Sequence, residues 1–81
     1  MNVQMAVMKI FQGLNKDEVL FIKNCKETNL NSINYVLGHV IRMNLGIYEY
    51  SCPLYEETGK FTPEDVSLYI IHELWNYLQG K

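Results

Sequence analysis

The sequence predicts a mainly α-helical domain: four helices, with an irregular segment or small β-hairpin between the third and the fourth. Three observations predict it. Apolar residues recur at spacings of three and four in four separate stretches. Residues suited to capping stand where the later helices begin: Asn15, Asn31 or Ser32, and Thr62. One stretch, 47–61, lacks the period and contains Pro53 and Gly59. No repeat, low-complexity tract or domain boundary interrupts the chain, so residues 1–81 are expected to form a single domain.

The first helix is expected over residues 2–12. Val3, Ala6, Val7, Ile10 and Phe11 share one of its faces, and Gly13 is its stop. The second opens at Asn15, which forms a capping box with Glu18, and should run to about Lys26. Val19, Phe21, Ile22 and Cys25 make its apolar stripe, while Leu20 falls off it. Residues 27–32 form a polar connection. The third helix spans about 32–45, with Ile33, Val36, Leu37, Val40, Ile41 and Met43 apolar and with Asn34, Gly38 and Arg42 marking the exposed line. Gly38 costs about 1 kcal/mol of helix propensity against alanine, a cost often offset where another backbone comes close. Gly46 ends this helix.

In residues 47–61, Tyr48 and Tyr50 alternate with their neighbours as a strand would, and Pro53 blocks a regular continuation. A hairpin and an irregular loop fit equally well. The last helix begins at Thr62, with Pro63 at its first position and Asp65 at its third, and runs to about Gln79. Its apolar arc covers more than half the wheel, so it needs neighbours on two sides. The expected core centres on Val7, Ile10, Phe11, Ile22, Val36, Leu37, Val40, Ile70, Leu74 and Trp75.

Composition narrows the function. Charged residues make up 20% of the chain, below the roughly 25% of an average domain. The formal charge of −2 argues against a non-specific nucleic-acid binder, which needs cations to release counterions. There are six tyrosines, a residue that suits interfaces and half-wet core edges. The start of the chain has no secretory pattern, and no apolar run reaches the ~20 residues of a membrane span. Cytoplasmic residence and no membrane partner are therefore expected.

Two cysteines, Cys25 and Cys52, are too few for a disulfide framework and are expected as free thiols. Neither they nor His39 and His72 show metal-ligand spacing. No metal or other cofactor is expected. His72 and Glu73 are adjacent and diverge by about 100° on a helix, so they do not form an acid–base pair. The chain carries no nucleophile elbow, zincin, phosphate-loop or EF-hand motif. Catalysis is not expected.

Two functional classes remain. The favoured one is a small protein-binding regulator, inhibitor or adaptor. Tyr48, Tyr50 and Tyr55 would supply aromatic anchors, and Glu49, Glu56 and Glu57 would suit a basic partner, such as a nucleic-acid-binding protein. The alternative is a dimeric helix-turn-helix regulator, with residues 47–61 as a wing. It would read DNA from the third helix through Asn34, Tyr35, His39 and Arg42. A homodimer is expected in either case, because the chain is short and the apolar arc of the last helix is wide. Size and the lack of catalytic motifs fit an accessory protein of a phage or mobile element.

Overall fold

A computed structural model describes residues 1–80. Five α-helices follow in order: α1 (Val3–Gly13), α2 (Lys16–Lys23), α3 (Leu30–Asn44), α4 (Leu54–Thr58) and α5 (Pro63–Leu78). A single 3-10 turn, Glu27–Asn29, leads into α3.

Local chemistry sets most of the boundaries. Asn2 caps α1 by accepting from the Met5 amide at 2.8 Å. The expected capping box opens α2: Asn15 Oδ1 accepts from Glu18 N at 2.8 Å, and Glu18 Oε1 accepts from Asn15 N at 2.9 Å. Thr62 caps α5 with Pro63 at its first turn, as expected. At the end of α3, Gly46 takes a φ of +68°. The Ile47 amide then donates to the Arg42 carbonyl at 2.9 Å, and the Gly46 amide to Met43 at 3.3 Å. This is a Schellman turn. It reverses the chain and drives Ile47 into the core, where it is fully buried.

The wide apolar arc of α5 is explained within the chain, because this helix packs against α1, α2, α3 and α4. Val66, Ile70, Ile71 and Leu74 are buried along it. Phe11 meets Tyr77 edge-on at 5.5 Å between ring centroids. The short α2 is held at its C-terminal end by the same helix. Trp75 Nε1 donates to the Cys25 carbonyl at 2.8 Å, and Gln79 Nε2 to the Lys23 carbonyl at 2.7 Å. Gln79 thus satisfies a carbonyl that the helix end leaves open, and Trp75 one in the turn that follows it.

Several expectations are corrected. There are five helices, and no strand or hairpin occurs among the described residues. Residues 45–53 form successive turns, and Leu54–Thr58 make a short helix that Gly59 ends at a φ of +69°. Helix α2 stops at Lys23, and α3 begins at Leu30 rather than near Ser32. The largest correction is the orientation of α3. Its buried residues are Leu30, Ile33, Gly38 and Ile41, and Asn34 and Arg42 are half-buried beside them. Val36 and Val40, placed in the expected core, are 71% and 54% exposed. Phe21, expected on the apolar stripe of α2, is 65% exposed. The reason is a polar partner on α5. Ser67 is fully buried and satisfies the polar side chains that α3 turns inward, so this face closes against α5 and the valines are left outside.

Candidate functional site

The turns after α3 bring the tyrosine-rich segment back over the helix that precedes it. Buried Ile47 and Leu54 pin the segment at its start and in its middle. Between them the Glu49 amide bonds to Gly46 at 3.2 Å and the Cys52 amide to Glu49 at 2.9 Å. The Cys52 thiol lies 3.6 Å from the Leu45 carbonyl. Both cysteines are free.

The three tyrosines of the segment do different things. Tyr55 is half-buried, and its hydroxyl donates to the Ile47 carbonyl at 2.6 Å. Burial raises its pKa above the ordinary tyrosine value, and the neighbouring Tyr50, Cys52 and Glu64 add to the effect. Tyr50 is 79% exposed and its ring centroid lies 5.6 Å from that of Tyr55. Glu49, Glu56 and Glu57 are exposed along the same segment. Tyr48 instead turns to α3. Its hydroxyl is 2.9 Å from Arg42 Nε and 2.8 Å from His39 Nδ1. Tyr48 thus accepts from Arg42 and shares a second hydrogen bond with the His39 ring.

Arg42 is the only arginine of the chain, and it is built into the fold. Besides Tyr48, it donates from Nη1 to Ser67 Oγ at 3.0 Å. Ser67 Oγ lies 2.6 Å from Asn34 Oδ1, and Asn34 Nδ2 donates to the Glu64 carbonyl at 3.1 Å. The chain of contacts crosses Gly38, where a Cβ would stand 2.5 Å from Arg42 Nη1 and 2.7 Å from Asn34 Oδ1. The nearest atoms to the bare glycine are therefore those of two side chains of its own helix.

Of the four residues expected to read DNA, Asn34 and Arg42 thus face α5, His39 is exposed but bonded to Tyr48, and Tyr35 projects at 92% exposure. Of the six expected to bind protein, all lie on one continuous segment, with Tyr48 set apart toward α3.

Sequence reasoning missed a second surface. Leu20 and Phe21 of α2 and Val36 of α3 line an open groove of about 940 Å³, whose charged residues are Asp17, Glu18 and Lys26. Val40 continues the exposed line one turn along α3, beside a smaller cavity of about 170 Å³ that shares Glu18 and Leu37 with the groove. The off-stripe position of Leu20 was the one signal that pointed there.

Among the described residues no group of three or more His, Cys, Asp or Glu side chains is placed to hold a metal ion, and no helix is long and apolar enough to cross a membrane. Comparison of the chain with protein-family models, curated proteins and solved structures finds no match, so the functional reading rests on the chemistry of these surfaces.

Proposed function

We propose that the chain is a non-catalytic protein-binding regulator, inhibitor or adaptor that meets its partner through the tyrosine-rich acidic segment. The observation that carries this reading is the Tyr50–Tyr55 pair. Tyr55 is anchored through its hydroxyl to the backbone of Ile47. The exposed Tyr50 ring lies tilted against this half-buried base, 5.6 Å between ring centroids. An aromatic ring held this way loses little further freedom on binding, which is what an interface anchor needs. The exposed carboxylates Glu49, Glu56 and Glu57 would steer a basic partner surface toward it. Protein binding is preferred to DNA reading because Asn34 and Arg42 already have intramolecular partners.

The test is capture of a partner from the native host lysate after nuclease treatment, followed by calorimetry with the captured protein. Tyr50→Ala is expected to weaken binding about thirtyfold, equivalent to roughly 2 kcal/mol, while Tyr35→Ala changes it little. Recovery of a defined DNA fragment, lost on His39→Ala or Arg42→Ala, would overturn the reading.

A further inference from the structure

We propose that the groove between α2 and α3 is a self-pairing face, and that a second copy of this chain occupies it with the two α2 helices antiparallel about a two-fold axis. This surface is separate from the tyrosine segment, none of whose residues lines the groove.

The face carries both halves of a contact. Phe21 stands out from α2 at 65% exposure, and the groove beside it is open and floored by Ile33 and Leu37. In a two-fold arrangement each Phe21 can enter the other copy's groove, because an isologous interface presents the same patch twice. Leu20, Val36 and Val40 are exposed around it, and a contiguous apolar surface of this kind on a small domain marks an interaction site.

The charges select the orientation and the occupant. The groove's acidic residues, Asp17 and Glu18, lie at the start of α2, and its one basic residue, Lys26, lies beyond the end of α2. Lys23, also exposed, sits in the last turn. Antiparallel pairing sets the acidic end of each α2 against the basic end of the other, twice. It also opposes the two helix dipoles favourably. Parallel pairing would set like charge against like. A standard interface of about 800 Å² per partner would cover about one seventh of the 5266 Å² surface, an extent that two neighbouring helix faces can supply.

Sedimentation equilibrium between roughly 1 and 100 µM, the weak end of the affinities that interfaces of this area reach, tests the proposal, using wild type, Phe21→Glu, Lys26→Glu and Asp17→Lys, which leaves the Asn15–Glu18 capping box intact. The wild type is expected to dimerise. Phe21→Glu should weaken pairing at least a hundredfold, and each charge variant at least tenfold, with circular dichroism unchanged. Mixing the two charge variants should restore a heterodimer, because each acidic end then meets a basic one. A wild type that remains monomeric throughout this range would overturn the proposal. A dimer that tolerates Phe21→Glu, or charge variants that fail to rescue one another when mixed, would overturn it as well. Specific loss of a different protein on Phe21→Glu, with the wild type monomeric, would reassign the groove to that protein.

Discussion

The hydroxyl of Ser67 accepts a hydrogen bond from Arg42 at 3.0 Å, across 25 residues of sequence. Ser67 is fully buried on α5, and Asn34 Oδ1 stands 2.6 Å from the same oxygen. One small side chain thus joins two polar residues of α3 to the central helix. Replacing Ser67 with alanine leaves the Arg42 donor and the Asn34 carbonyl without that partner. The expected cost is about 1–3 kcal/mol, measured by urea denaturation. In a double-mutant cycle with Arg42→Ala the effects should be non-additive by at least about 0.5 kcal/mol. Strict additivity would show that the contact contributes nothing.

Gly38 is what lets that network pass. An alanine there gains about 1 kcal/mol of helix propensity but pushes into Arg42 Nη1 and Asn34 Oδ1. The displaced network should outweigh the gain, so Gly38→Ala is expected to lower stability by about 1 kcal/mol. With Arg42 and Asn34 both changed to alanine, the same substitution should become stabilising. Thermal melts of the four proteins check the reversal of sign.

The orientation of α3 makes a direct prediction. Leu74 is fully buried, so Leu74→Ala should cost about 2–5 kcal/mol, a large share of the stability of a small domain. Val36→Ala and Val40→Ala remove side chains already in solvent. Below the concentration at which chains associate, each should change stability by less than about 0.5 kcal/mol. A large loss on Val36→Ala in the monomer would place that residue back in the core.

Tyr55 predicts an alkaline dependence. Its pKa is raised in the folded chain, chiefly by burial. The unfolded chain therefore releases this proton first, near the ordinary value of about 10. Stability from this group is fully present below that pH and is lost as pH rises through the folded value. Ionisation also removes the hydroxyl proton that bonds to Ile47. Tyr55→Phe should flatten the fall in melting temperature above about pH 10. An unchanged slope in the variant would assign the alkaline loss to other groups.

The parts of this fold legible in the sequence are those set by neighbours in the chain. The Asn15–Glu18 box and the Thr62–Pro63 start involve residues within three positions of one another, so their spacing alone announces them. The tyrosine–glutamate cluster is legible for the same reason, being contiguous. The facing of α3 is not. Val36 and Val40 look like core, and Asn34, Gly38 and Arg42 look like surface. Ser67, the polar partner of Arg42 and Asn34, lies 25 and 33 residues away, beyond the reach of any local pattern. Helix α4 is too short to show a period, so the burial of Leu54 could not be anticipated. The α2–α3 face was hidden because each of its halves resembles an ordinary core stripe.

The hydrogen bonds that close the end of α2 come from Trp75 and Gln79, 50 and 56 residues further along the chain. An eight-residue helix is marginal alone, so α2 gains its full order only when α5 has docked. Leu20 and Phe21 therefore hold their final positions only with α5 in place. In amide exchange, α2 should open no more slowly than α5 releases it. A surface held in that way reports on the rest of the molecule: whatever engages it selects chains whose last helix is already in place, and passes over those still unfinished.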